Sequence, residues 1–195
     1  ISNLDEFFMK RLGSVTEAFM GDLPCNSLNG KNPQEKIQQI RSLILEQYKT
    51  LESLFEKNLL PSLQSENIYF LKWKDLSRVQ KNHLTKYFHL NIFPVLTPLS
   101  VDSGHPFPFI SNLSKNLGVV IKKPREKNKQ FARIKIPPSI PQWISVPKDN
   151  TTSGNLHMFI NIEEVIINHL DILFTGMKIE STLLFRITRN AMFST

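Results

Sequence analysis

Histidine, cysteine and carboxylate side chains are the groups in this sequence best suited to proton transfer, phosphate transfer or metal binding. Cys25 is the single cysteine, and because no activating partner lies near it in the sequence we predict an unreactive thiol. Glu163 and Glu164 open a predicted helix, where negative charge stabilises the positive helix end, so we predict a structural role for both. The five histidines are His83, His89, His105, His157 and His169. None stands at a metal-binding spacing from a carboxylate or cysteine. The sequence therefore predicts no catalytic residue and no metal ligand in this chain.

Glycine-rich loops that bind nucleotide phosphates are also missing. A P-loop requires G-x-x-x-x-G-K-[ST], because backbone amides and the lysine must converge on the phosphates. The nearest segment is Gly30-Lys31, but Asn32 follows it and Cys25 stands at the position of the first glycine. The G-x-G-x-x-G pattern does not occur. Without such motifs, composition and charge alone indicate only a soluble, basic protein of two parts.

Positive charge is in excess, since 24 lysines and arginines face 17 aspartates and glutamates for a formal net charge of +7. Such a surplus favours polyanionic partners, such as nucleic acid, anionic lipid, nucleotides or a phosphate polymer, without choosing among them. A predicted hairpin holds a dense basic group: Lys122, Lys123, Arg125, Lys127, Lys129, Arg133 and Lys135. Three interpretations of these side chains stay open. They could guide a phosphate polymer, contact a partner subunit, or belong to an ordinary solvated loop.

The helix with the clearest signals begins at Pro33. Asn32 is a suitable N-cap, proline fits the first helical position, and Glu35 completes a capping-box pattern. The apolar stripe that follows supports about seven turns and predicts an end at Pro61.

Two further helices accompany it. The first covers residues 1–20, and another is capped by Asp75 or Ser77 and ends before Pro94. We therefore predict a small antiparallel three-helix bundle over residues 1–92.

Strand patterns dominate after the bundle. Two predicted strands, NLGVVIKK and QFARIKI, flank the basic loop and form a hairpin with it. Another extended segment is WISVP, and the strand HMFIN leads into a helix. The last predicted strand is MKIESTLLFRIT. The predicted fold class is α+β, with a truncated mixed α/β domain containing antiparallel strands over residues 93–195.

The expected cellular compartment follows from hydrophobic runs, signal peptides and cysteine content. No apolar run approaches the ~20 residues of a membrane span, and no signal peptide is recognisable. With one cysteine, a reduced cytoplasmic compartment is expected, and peripheral membrane association is left open. The sequence opens at Ile1 inside a helical pattern, so we expect a piece of a longer protein.

Four segments, in order, resemble one family. They are SNLDEFFMKRL at 2–12, FPVLTPLSVDSGHPFPFISNLSKNLGVV at 93–120, FARIKIPPSIPQWI at 131–144 and LLFRITRNA at 183–191. Each is similar to a segment of the polyphosphate kinases. Met192 departs from the pattern, since the family usually has an acidic residue there.

The resemblance implies an enzyme that reversibly transfers the terminal phosphate of ATP to polyphosphate through a phosphohistidine, with Mg²⁺. It implies a helical N-terminal domain over residues 1–92 and part of a middle head domain, used in dimerisation, over residues 93–195. The catalytic histidines of the family lie in C-terminal domains. We therefore expect this chain alone to be inactive, with ATP, ADP, polyphosphate and a second copy as partners and no nucleic acid.

One binding residue is implied by the resemblance. Asn3 matches the asparagine of the family's SNLDEFF segment, which contacts the adenine of ATP, and an amide offers both a donor and an acceptor to a purine. For Arg11, inside the apolar stripe, we predict a salt bridge to Asp5 or another domain rather than phosphate contact. We reject His105 as the phosphohistidine, and we expect Phe107 and Phe109 in the core rather than in a base-stacking platform.

Two other functions compete with this interpretation. One is a basic interaction module that binds nucleic acid or another polyanion without enzymatic activity, supported by the net charge and the basic hairpin. The other is a purely structural dimerisation unit.

Overall fold

The first helix opens the described part of the chain. This computed structural model describes residues 2–12, 33–101, 107–126, 128–149 and 154–189. Helix α1 spans Ser2–Phe7 and continues as a π-helix over Phe8–Leu12. Lys10 Nζ donates to Glu6 Oε1 at 2.5 Å, one turn back along this segment. The remainder of the helix predicted over residues 1–20 lies outside the described residues.

The long helix begins at Pro33, as predicted. Helix α2 spans Pro33–Leu54, a π-helix covers Phe55–Leu59, and helix α3 spans Leu60–Ser65. The predicted end at Pro61 is wrong, because the helical backbone continues to Ser65. The amide of Leu60 bonds the carbonyl of Phe55, five residues back, which widens the turn just before the proline. Proline is tolerated near the start of a helical segment, where its missing N–H is not needed.

The third predicted helix has a well-defined start. Helix α4 spans Arg78–Tyr87, followed by a π-helix over Phe88–Ile92. Of the two predicted caps, the structure uses Ser77: its Oγ accepts from the amide of Gln80, and the Gln80 side chain accepts from the amide of Ser77. This capping box satisfies donors that a helix start otherwise leaves open.

Seven strands form two sheets in the described part of the chain. Their bounds are β1 Ile68–Leu71, β2 Pro98–Val101, β3 Lys115–Lys122, β4 Lys129–Lys135, β5 Trp143–Val146, β6 His157–Asn161 and β7 Lys178–Arg186. One sheet has the order β1-β6-β5, with β1 parallel and β5 antiparallel to β6. The other has the order β2-β4-β3-β7 and is antiparallel throughout. The predicted β3–β4 hairpin is confirmed.

Two short helices follow β6. Helix α5 spans Ile162–Ile167 and helix α6 spans Leu170–Leu173. Asn161 caps α5, because its side chain accepts from the amide of Glu163 at 2.9 Å.

The α+β fold class is confirmed, and the packing of α4 adds a detail that the bundle prediction did not contain. Contacts divide the chain into two compact units, Ile1–Pro61 with Ile187–Thr195, and Ser62–Arg186. Helix α4 belongs to the second unit. Its segment buries Leu84 and Phe88 in the same apolar cluster as strand residues of both sheets. The domain boundary at residue 92 stays a prediction.

Candidate functional site

Asn3, the predicted ATP contact, lies exposed on helix α1. The adjacent Leu4 borders a hollow of about 140 Å³ in the first unit. The other lining residues come from helix α2: Ile44, Gln47, Tyr48 and Leu51. The exposed amide of Asn3 can therefore reach a ligand without rearrangement of the helix.

The other residues singled out in the sequence have different outcomes. Arg11 is exposed, and its predicted salt bridge to Asp5 stays a prediction. His105 lies outside the described residues, as do Cys25 and Met192. The prediction that Phe107 lies in the core is wrong, because its side chain is 57% exposed.

Phe107 instead stacks against an aromatic ring of the four-stranded sheet. Its ring centroid lies 5.7 Å from that of Phe131 in strand β4, with 23° between the planes. Phe131 in turn lies over Gly118 of strand β3, where an added Cβ would approach a ring carbon to 2.8 Å. Phe109, two residues on, is 69% exposed and also lies outside the core.

The basic hairpin, apart from Lys127, which lies outside the described residues, is divided between paired, buried and exposed groups. Arg133 is 6% exposed, and its Nε donates to Oδ1 of Asn116 at 2.7 Å. Burial lowers the pKa of the Arg133 guanidinium. Lys123 Nζ lies 3.6 Å from Glu126 Oε1, and Lys129 Nζ lies 3.5 Å from Glu180 Oε2. Arg133 therefore cannot contact a polymer in this conformation, and the charge of two lysines is partly neutralised.

Strand β7 contributes the carboxylate that pairs with the hairpin. Lys178 Nζ lies 2.9 Å from Glu180 Oε1. This hydrogen bond and the positive charge of Lys178 hold the pKa of the Glu180 carboxyl below its usual value, and Lys129 adds to the effect. The same contact raises the pKa of the Lys178 ammonium.

A cleft of about 680 Å³ lies within the second unit. It is bounded by the start of β3, the end of β4, the proline-rich segment after β4 and the first turn of α5. Glu163 is 6% exposed, and its Oε1 lies 3.3 Å from Lys115 Nζ. Its Oε2 is buried and has no hydrogen-bond partner among the residues that the structure describes. Lys135 Nζ, also in the lining, lies 3.5 Å from Ser111 Oγ.

The two neighbouring glutamates of α5 differ in role. Glu164 Oε2 accepts from the amide of Trp73 at 3.1 Å, which confirms the structural role predicted for it. The burial of Glu163 against Lys115 was not predictable, because the two residues are 48 positions apart in the sequence. The cleft itself had one signal in the sequence, the proline-rich run IPPSIP after β4. This run forms an irregular wall of the cleft beside the strand ends.

Metal ligands and membrane spans are the remaining features to consider. Within the described ranges, no three His, Cys, Asp or Glu side chains come together as metal ligands would. No residue in those ranges is therefore assigned to the Mg²⁺ that the resemblance implies. No helix in the described residues is long and apolar enough to cross a membrane.

The architecture as a whole matches a solved phosphotransferase structure. The crystal structure of polyphosphate kinase from Porphyromonas gingivalis superposes with a TM-score of 0.81 at 23% identity, over 100% of this chain and 28% of that chain. At this identity, the likeness shows the fold.

Sequence comparison shows the family. The model of the polyphosphate kinase N-terminal domain matches residues 1–71, and that of the polyphosphate kinase middle domain matches residues 79–195. The polyphosphate kinase of Mycobacterium marinum is 38% identical over 195 residues, covering 98% of this chain and 26% of that protein. The polyphosphate kinase of Synechocystis is 38% identical over 198 residues, covering 97% of this chain and 27% of that protein. The chain belongs to the polyphosphate kinase family and spans about a quarter of the length of these relatives.

Proposed function

We propose that this chain is the N-terminal and head part of an enzyme that reversibly transfers the terminal phosphate of ATP to polyphosphate. The observation that carries the proposal is the ordered match of the two family models to residues 1–71 and 79–195. Relatives named polyphosphate kinase align with nearly all of the chain, which supports the same conclusion.

The phosphate-carrying histidine is proposed to lie in the part of the enzyme that corresponds to the remaining length of the relatives. His169 itself is unsuited to carry the phosphate, because its ring is buried and both of its nitrogens are engaged. Nδ1 lies 2.7 Å from the carbonyl oxygen of Val165, and Nε2 lies 2.9 Å from Thr85 Oγ1. A nucleophilic nitrogen needs a free lone pair and access to the phosphate, and His169 has neither.

Asn3 is proposed to contact the adenine of ATP. Its exposed position on α1 supports this role, because the amide can present both a donor and an acceptor to a purine edge. The base would then be held by this chain while its phosphates extend toward the histidine elsewhere in the enzyme.

Self-association through the head domain is proposed to use strand β7. It is an edge strand of the described four-stranded sheet, paired to β3. Leu183 is 66% exposed and Leu184 is 49% exposed on it. An edge strand with exposed apolar side chains favours pairing with another strand.

The test is a phosphate-transfer assay on the native protein purified from its source cells. With ATP labelled at the γ-phosphate and a polyphosphate primer, we expect label in polyphosphate and in an acid-labile histidine phosphate. The recombinant 195-residue chain, assayed in parallel, should transfer none. Native protein that leaves the label entirely in ATP would contradict the proposal.

A binding comparison addresses the alternative of a basic interaction module. Filter binding of the chain to DNA, RNA and polyphosphate is measured at several salt concentrations, because charge-driven binding weakens as salt rises. A clear preference for either nucleic acid would favour that alternative over a role in phosphate transfer.

A further inference from the structure

The cleft in the second unit holds a carboxylate whose hydrogen-bonding capacity is half used. Glu163 Oε1 lies 3.3 Å from Lys115 Nζ, whereas its Oε2 is buried without a partner among the described residues. Buried polar atoms in proteins are nearly always hydrogen-bonded, since leaving one unpaired costs the full desolvation of that atom. An ionised carboxylate can only accept, so the missing partner must be a donor.

Positive charge and hydroxyl donors also line the cleft. Lys135 is exposed, and its Nζ is 3.5 Å from Ser111 Oγ, at the outer limit of a hydrogen bond. A lysine ammonium and a serine hydroxyl are both suitable donors to phosphate oxygens. With Lys115 and Lys135 opposed by Glu163 alone among the charged lining residues, the cleft favours an anion.

The volume of the cleft and the apolar residues that line it restrict the class of ligand further. The cleft volume of about 680 Å³ falls within the roughly 300–1,000 Å³ range of small-molecule pockets. Ile136, Ile140 and three prolines, at 137, 138 and 141, supply apolar wall. A ligand that fits all of these features has an anionic group, a compact body and hydroxyl donors.

We propose that this cleft binds a small phosphorylated sugar, either free or as part of a mononucleotide. A ligand hydroxyl donates to Glu163, and the phosphate is held by Lys135 and Ser111. The terminal torsion of a glutamate is broad, so a rotation of the carboxylate presents Oε2 to the ligand. The lining residues of the cleft all belong to the second compact unit, whereas Asn3 belongs to the first, so the two proposals rest on different residues.

The test is a calorimetric titration of the purified protein with ribose 5-phosphate. This probe lacks adenine and so does not depend on Asn3. We expect saturable binding of ribose 5-phosphate. Ribose and inorganic phosphate should bind more weakly, because each carries only one of the two groups that the cleft recognises. AMP should also bind if the cleft accepts the sugar phosphate of a nucleotide. Weaker binding of AMP than of ribose 5-phosphate would identify the free sugar phosphate as the ligand.

Two variants and two controls link binding to the cleft. Glu163→Gln and Lys135→Gln should each weaken ribose 5-phosphate binding by roughly 10-fold or more, since each removes a charge-assisted hydrogen bond. Lys86→Gln makes the same charge change at an exposed position of α4 outside the cleft and should have no effect. Asn3→Ala should also leave this binding unchanged, so failure here is separable from failure of the ATP-contact proposal.

A crystal structure with ribose 5-phosphate supplies the second readout. Density for the sugar phosphate between Lys135 and Glu163 supports the proposal. A single ordered water on Glu163 Oε2 without saturable binding overturns it. Equal weakening by Lys86→Gln and Lys135→Gln also overturns it, because the interaction is then general charge attraction.

Discussion

The imidazole ring of His169 lies parallel to the phenyl ring of Phe88, with centroids 4.5 Å apart and 13° between the planes. Its Nδ1 lies 2.7 Å from the carbonyl oxygen of Val165, and its Nε2 lies 2.9 Å from Thr85 Oγ1. Because a carbonyl can only accept, Nδ1 carries a proton. This ring joins α4 and the π-helix after it to the α5–α6 segment.

Truncation of this ring should destabilise the second unit. His169→Ala removes a fully packed side chain and the hydrogen bonds on both nitrogens, so we expect a loss of about 2–4 kcal/mol in the free energy of unfolding. His169→Phe should be milder, because stacking on Phe88 is kept while the polar contacts are lost. Urea denaturation followed by circular dichroism measures both changes. His157→Ala, at an exposed position of β6, is the control. An Ala variant at residue 169 within 0.5 kcal/mol of the parent, roughly the surface-substitution range, would contradict this role.

The strands were predictable because their signals are local. The apolar run at 117–121 lies in β3, the segment FARIK at 131–135 lies in β4, and a polar loop between them closes the hairpin. Ser77 was one of two candidate caps, and the capping box with Gln80 decides between them. In each case the determining residues lie within a few positions of one another.

Features that depend on distant residues were not predictable. Helix α4 has an apolar face that suits a bundle as well as it suits a sheet, and its packing is visible only in the buried cluster around Leu84 and in the contact of Thr85 with His169. The burial of Glu163 depends on Lys115, in another element. The helix through Pro61 depends on a π-turn, which has no clear pattern in sequence. Phe107 has the residue type of a core position, yet its surroundings leave it exposed.

The ion pairs of Glu180 predict a stability change at acid pH. Its pKa is below the usual 4.5 because of the hydrogen bond and charge of Lys178. The unfolded state therefore binds a proton more readily, so the stabilisation is present above the usual pKa and is lost as pH falls through the lower folded-state value. Glu180→Gln should reduce the slope of unfolding free energy against pH between about pH 5 and pH 3. Added salt should reduce it too.

The control for this prediction is Glu66→Gln, a substitution of the same type at an exposed position after α3. It should leave the slope closer to that of the parent. If the two variants have the same acid profile, the lysine contacts of Glu180 do not contribute to folding stability.

Charged substitutions on β7 should weaken self-association. Leu183→Lys and Leu184→Lys place positive charge on an exposed edge strand, which opposes strand pairing between copies. Sedimentation velocity at several protein concentrations should show a dimer or larger species in the parent and a shift toward monomer in the variants. Val79→Lys, which alters an apolar residue exposed on α4, controls for loss of surface apolarity alone. A parent that stays monomeric at all concentrations would sink the proposed role of this strand.

The adenine contact is tested by Asn3→Ala in the native-length protein. Removal of one or two neutral hydrogen bonds to the base should weaken ATP binding by about 3- to 10-fold. Alanine favours helix, so circular dichroism and thermal stability should stay at the values of the parent. Gln38→Ala removes an exposed amide from α2 in the same unit and should leave ATP affinity unchanged. The phosphate-transfer rate at saturating ATP should also be nearly unchanged, because the lost contact lies at the base rather than at the reacting phosphate. Equal ATP affinity in the Asn3→Ala variant and the parent would remove Asn3 from the nucleotide site.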